Sequence, residues 1–315
     1  MSDLRDALEK YLAIRRALGF DLSSLERVLK GFVGYMEQQG EPFITTKLAV
    51  DWATQPKGGD QAYLAQRLAN VRRFAAWRRA TDPRTEVPPA QLLPYHYRRQ
   101  HPHIYTDDEI QRLMRAAREL KPTRGLRGDT YATVFGLLVV TGLRISEVVA
   151  LDRANVDLEN GILTIRRAKF GKSRMVPIHE STRDALKRYA EKRDELIPVT
   201  ITQAFFISDE RRTRITNWST RYNFCRASRD AGLRAPVEGH RHGHGPRIHD
   251  MRHRFAVQTM INWYSAGLDV AREIPKLSTY LGHVHINDTY WYFEAVPELL
   301  QLATDRLTEQ EEKEP

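Results

Sequence analysis

IHDMRHRF, residues 248–255, and LGHVHINDTYWY, residues 281–292, carry the reading of this chain. They set His249 three residues before Arg252, and His283 nine residues before Tyr292. On a helix, positions three apart share a face, so His249 and Arg252 are expected to converge on one target. Upstream, TGLRISEVVAL at 141–151 adds Arg144 and, three residues on, Glu147. Gly142 is expected to end the hydrophobic helix 131–141 and let a new helix begin beside Arg144.

These residue types suit phosphodiester chemistry without a metal. The phosphate repels a nucleophile, and the transition state gathers more charge on its non-bridging oxygens. Two guanidinium groups, permanently charged and able to bind phosphate in a bidentate fork, answer both problems. Arg144 and Arg252 are the candidates. Taken alone, Arg144 also reads as a surface partner of Glu147. A phenol ionises only near pH 10, so a tyrosine nucleophile needs cations and proton-handling groups around it.

The three segments, in this order, resemble the active-site boxes of the tyrosine recombinase (phage integrase) family over residues 105 to 300. The resemblance implies that Arg144 and Arg252 grip the scissile phosphate, Glu147 orients the site, and His249 and His283 handle protons. Tyr292 becomes the nucleophile by its register from His283, with Tyr290 the rival that spacing alone leaves open. In AKFGKSRMVPI, 168–178, the family pattern places the catalytic lysine first, at Lys169, ahead of Lys172. The implied fold is mainly α: an N-terminal helical core-binding domain and a mostly helical catalytic domain with a small β-sheet, together clamping duplex DNA. The implied activity is cleavage and rejoining of DNA at specific recombination sites through a 3′-phosphotyrosyl link, with no metal, ATP or other cofactor. A homotetramer on two DNA sites, in a mobile element, is the implied working unit, and an accessory or sister recombinase is compatible with it. The alternatives are a type IB topoisomerase-like relaxing activity and a non-catalytic DNA-binding regulator on the same fold.

The bulk properties agree with a nucleic-acid partner. The chain has 315 residues, enough for two domains, with 49 Lys plus Arg against 40 Asp plus Glu, a net charge of +9. Its acidic end, DRLTEQEEKEP, leaves the remainder more basic still. Cys225 is the single cysteine, which excludes an intrachain disulfide. With no secretory pattern in MSDLRDALEK, the cytoplasm is the expected compartment. The apolar run VFGLLVV, 134–140, is too short to span a membrane. His240, His242 and His244 alternate in EGHRHGHGPRIH, but the stretch supplies no carboxylate or thiolate partner and no metal is expected there.

Four segments are expected along the chain: a helical DNA-binding domain at 1–95, a linker at 96–104, the catalytic domain at 105–300, and an acidic tail at 301–315. In the first, Leu4, Leu8, Tyr11 and Leu12 recur at helical spacing, and SSLERVLKGFVGYMEQQG fits a second helix with Ser23 or Ser24 as N-cap and Gly40 as stop. The segment 62–80 fits a third helix, and its Arg67, Arg72, Arg73, Arg78 and Arg79, interleaved with Phe74 and Trp77, are candidate phosphate contacts. The proline-bearing 82–94 reads as extended, and Arg98 and Arg99 beyond it suit a strap along a duplex. Thr106 and Glu109 have capping-box spacing, and GILTIRR and RMVPI read as a β-hairpin.

Overall fold

The computed structural model describes residues 3–20, 22–56, 60–95, 101–121, 125–166, 173–198, 202–235, 245–283, 285–294 and 301. The chain divides into two compact units, residues 1–100 and 101–315. No helix among the described residues is long and apolar enough to cross a membrane.

The first unit is built from α1 (Asp3–Ala17), α2 (Ser23–Gln39), α3 (Thr46–Thr54) and α4 (Gln61–Arg78). The apolar stripes expected from the sequence meet in one core: Leu8, Leu12, Leu29, Phe32, Val71 and Phe74 are fully buried together. Gly40 closes α2 in the left-handed conformation, as its position after QQ suggests, but the N-cap of α2 is Leu22 and Ser23 already lies inside the helix. α3 is a helix that no pattern in the sequence announces. It is short, and its N-cap is Thr45, whose hydroxyl accepts from the Leu48 amide.

The second unit holds α5 (Asp107–Arg118), α6 (Arg127–Thr141), α7 (Ile145–Val149), β1 (Val156–Asp157), β2 (Ile162–Ile165), β3 (Arg174–Pro177), α8 (Glu180–Leu196), α9 (Asn217–Asp230), α10 (Asp250–Ser265), α11 (Val270–Leu281) and α12 (Asn287–Glu294). The fold is thus mostly helical with a small three-stranded sheet, in the order β1-β2-β3. The expected hairpin is β2 and β3, paired antiparallel from Ile162 opposite Pro177 to Ile165 opposite Arg174. The Thr106–Glu109 capping box opens α5 in both directions, at 3.2 and 2.8 Å. Around it, α6 is buried on nearly every side and forms the axis of the unit, which explains its continuous apolar sequence. A second, smaller cluster joins α10, α11 and α12 through Ala256, Met260, Ile274, Leu281 and Tyr292.

His103 and Ile104, which the sequence places in the linker, pack on this second unit. His103 pairs with Glu109 at 3.0 Å, and Ile104 lies against the α10–α12 cluster. Arg254 on α10 fixes this entry segment by donating to the Tyr105 carbonyl at 2.8 Å and pairing with Asp107. The charged residue after the HxxR segment is therefore a structural tie between α10 and the start of the unit.

Candidate active site

Arg144 is placed by two backbone devices. Gly142 ends α6 at φ +60°, and a Cβ there would lie 2.5 Å from the ring of Phe255, so a side chain is excluded by both conformation and space. The chain then turns through Leu143 to Arg144, the N-cap of α7, whose amide donates to Glu147 Oε2 at 2.9 Å. Arg144 Nη1 also meets Glu147 Oε1 at 3.1 Å.

Three guanidiniums converge on the end of α11. Arg144 reaches the Gly282 carbonyl at 3.2 Å and the Leu281 carbonyl at 3.4 Å. Arg252 Nη2 donates to the Leu281 carbonyl at 2.9 Å and its Nη1 to the Gly142 carbonyl at 2.7 Å. Arg174 Nε donates to the Tyr280 carbonyl at 2.8 Å. The last carbonyls of a helix lack intrahelical partners and carry the negative end of its dipole, so this terminus can hold clustered cations. Gly282 makes the approach close: it caps α11 at φ +68°, and a Cβ there would lie 2.7 Å from Arg174 Nη1.

Arg252 is 2% exposed, and burial, with the positive charge of Arg144 adding to it, lowers its pKa to about 10. It remains cationic at neutral pH. Glu147 is also buried. Burial alone would raise its pKa, but the hydrogen bonds from Arg174 and from the Arg144 amide, with both guanidinium charges, hold it below the ordinary carboxylate value.

The two predicted histidines flank these arginines. His249 is the N-cap of α10, one residue before the helix that was expected to contain it, and Arg252 lies in the first turn. The residue as a whole is exposed, yet desolvation by the surrounding protein and then the Arg252 charge bring its pKa down to about 4. His283 follows the α11 cap. Its amide donates to the Ser278 carbonyl at 3.0 Å, and its Nδ1 meets the Oγ1 of buried Thr289 at 2.7 Å. Desolvation, followed by Arg252 and Arg144, lowers His283 to about 3. Both imidazoles are neutral at pH 7.

Tyr292 on α12 lies inside this group, 2% exposed, with its ring centroid 6.1 Å from that of His283. It lies near enough to Arg252 to favour the charged form of that guanidinium. Tyr290, two positions earlier, is 44% exposed on another face of the helix. The structure therefore brings Arg144, Glu147, His249, Arg252, His283 and Tyr292 together. Lys169 and Lys172 lie outside the described residues, as do His240, His242 and His244. Among the described residues no cluster of His, Cys, Asp and Glu has the makings of a metal site.

Three members of the site were not singled out from the sequence. Arg174 binds both oxygens of Glu147, at 2.9 Å each. Thr289 orients His283. His253, 7% exposed, sits edge-on to His249, Trp291 and Tyr292 with ring centroids 5.0 to 5.3 Å away. The arginine that opens the VP strand and the histidine directly after Arg252 were visible in the sequence, but their direction was not.

The N-terminal arginines divide. Arg72 is half-buried and Arg73 exposed on α4, and exposed Arg79 caps its C-terminus. Arg67 instead lies over the Trp52 ring at 3.7 Å and donates to the Trp52 carbonyl at 3.0 Å. Arg78 turns inward. It shares the buried face of Val71, Phe74 and Ala75, and pairs with Asp3 and Asp82, so it is a core cation and not a surface contact. Arg98 and Arg99 lie outside the described residues.

Comparison with known proteins supplies independent findings. The model of the phage integrase family matches residues 104–298. A putative integrase/recombinase of Sinorhizobium fredii, y4rB, is 43% identical over 310 residues, which cover 98% of this chain and 98% of its own. The tyrosine recombinase XerD of Neisseria meningitidis is 29% identical over 274 residues, covering 86% of this chain and 84% of its own. Among solved structures, the Tn1549 transposon integrase in complex with transposon right-end DNA superposes with a TM-score of 0.65 at 18% identity, over 96% of this chain and 99% of that one. A lambda integrase dimer bound to a core site gives 0.61 at 20% identity, over 92% and 76%. These two likenesses concern the fold.

Proposed function

The chain belongs to the phage integrase family, and from that premise we propose that Tyr292 is the residue through which it breaks and reseals DNA. It is a site-specific recombinase, an enzyme that cleaves and rejoins DNA. The observation that carries the residue assignment is the burial of Tyr292 against Arg252, within a group that also holds Arg144, His249 and His283.

In the proposed reaction, the Tyr292 oxygen attacks the scissile phosphorus. The bond to the 5′ oxygen breaks, leaving a 3′-phosphotyrosyl link and a free 5′ hydroxyl. Neutral His249 is able to accept the phenolic proton, and Lys169 gives a proton to the departing oxygen. Arg144 and Arg252 are held on carbonyls before substrate arrives, so little reorganisation is needed to neutralise the charge that builds on the phosphate. His283, fixed by Thr289, presents its other ring nitrogen as a neutral hydrogen-bonding group. A 5′ hydroxyl from a second duplex reverses the step. The phosphotyrosine conserves the bond energy, so neither ATP nor a metal is required.

The chain's DNA contacts include Arg72 and Arg73 of α4 and Arg79 at its end, together with Arg98, Arg99 and Lys172. Its working unit is a homotetramer on two specific sites, with room for an accessory or sister recombinase, in the cytoplasm. The domain plan is a DNA-binding unit to residue 95, a linker expected to run to 104 but whose His103 and Ile104 belong with the second unit, a catalytic domain to 300 and an acidic tail. An exchange assay tests the function. Two labelled duplexes carrying the ends of the element that encodes the chain should yield recombinant junctions in the presence of EDTA. Supercoil relaxation without junctions would point to a topoisomerase, and binding without strand breakage to a regulator.

A further inference from the structure

Glu147 is shared unequally between two arginines. Arg174 takes both of its oxygens in a bidentate fork at 2.9 Å, whereas the Arg144 side chain touches only Oε1, at 3.1 Å. Both members of the tighter pair are shielded, with side-chain exposures of 12% for Arg174 and 5% for Glu147. A carboxylate left to one guanidinium would draw it into the same fork, since that geometry is the strongest the pair can adopt. Arg144 would then be turned away from the α11 carbonyls and from any phosphate beside Arg252.

We infer that Arg174 is a positioning residue for strand cleavage: by occupying Glu147 it keeps Arg144 aimed at the scissile phosphate. The inference rests on the recombinase reading above. Its third contact, from Nε to the Tyr280 carbonyl, locks the guanidinium plane to the same helix end that holds Arg144 and Arg252. β3, which begins at Arg174, follows directly in sequence the segment that carries Lys169. One side chain thus joins β3, the Glu147 carboxylate that holds Arg144, and the α11 terminus. Gly282 is bare partly for its sake, because a Cβ there would strike Arg174 Nη1 and Cζ at 2.7 and 2.9 Å.

The test is single-turnover cleavage by the full chain on a nicked duplex, with DNA affinity and thermal stability measured in parallel. Arg174→Met should slow adduct formation about 10- to 100-fold, while the DNA Kd moves by less than about threefold. Adding Glu147→Gln to Arg174→Met should recover at least about tenfold of the rate, because a neutral amide no longer captures Arg144. Arg174→Lys, which keeps the charge but not the fork, should fall between wild type and Arg174→Met, and serves as the probe if the methionine variant does not fold. Wild-type rate in Arg174→Met, or a loss that Glu147→Gln fails to relieve at a temperature where all variants are folded, would overturn the inference. Failure of the unaltered chain to form an adduct on DNA that it binds would remove the recombinase reading itself.

Discussion

Acid should loosen the tyrosine helix through His253. This imidazole is 7% exposed among His249, Trp291 and Tyr292, and its Nδ1 has no hydrogen-bond partner among the described residues. Desolvation first, then the neighbouring His249 and the Arg247 and Arg252 charges against the opposing Asp250, lower its pKa to about 3 from an ordinary 6.5. A histidine whose folded pKa is depressed costs stability as pH falls below its unfolded value, because only the unfolded chain takes the proton. Between about pH 7.5 and pH 5, where the unfolded imidazole is almost fully protonated and the folded one is not, the penalty is about 2 kcal/mol. Phenylalanine at 253 has a similar planar shape, removes the unpaired nitrogen and cannot titrate. Urea denaturation of wild type and His253→Phe at several pH values isolates the effect, since every other titrating group is common to both. The variant should match or slightly exceed wild type at neutral pH and lead it by about 2 kcal/mol near pH 5. Parallel stability curves, with the gap unchanged by pH, would refute the reasoning.

Other expectations follow from the same geometry. Gly128→Ala should destabilise the second unit by about 3 kcal/mol or more, because the new Cβ would sit 2.2 Å from the carbonyl of Arg118, the last residue of α5; thermal melting measures it. Gly142→Ala should slow adduct formation more than it weakens DNA binding, since it strains the turn whose carbonyl holds Arg252; cleavage and binding assays on one duplex separate the two. Thr289→Val should reduce the cleavage rate about tenfold by freeing His283, with little change in DNA affinity. Cleavage should persist undiminished in EDTA, and a rate restored only by a divalent ion would contradict the proposed chemistry.

Local signals carried far in this chain. The Thr106–Glu109 box, Gly40, Gly142 and the β2–β3 hairpin were each readable from a few consecutive residues, because capping and turn chemistry are local. The resemblance of the histidine, arginine and tyrosine boxes to the phage integrase family likewise singled out residues that meet. What sequence could not give was direction across long separations. Arg252 meets the Gly142 carbonyl across 110 residues and Arg144 the Gly282 carbonyl across 138, and no periodicity reports such contacts. Arg174 and His253 were hidden for that reason, each standing beside a more conspicuous neighbour. Arg78 shows the opposite error. Counting arginines along α4 made it a DNA contact, whereas its place on the Val71–Phe74 face turns it toward Asp3 and Asp82.

The identity of the nucleophile is tested most directly by trapping the covalent intermediate in EDTA on a nicked duplex, with wild type, Tyr292→Phe and Tyr290→Phe compared side by side. The account predicts a denaturation-resistant protein–DNA band with wild type and Tyr290→Phe, joined to the 3′ phosphate, and no band with Tyr292→Phe. A band that survives Tyr292→Phe and disappears with Tyr290→Phe would contradict it, and would make the exposed tyrosine the one that attacks.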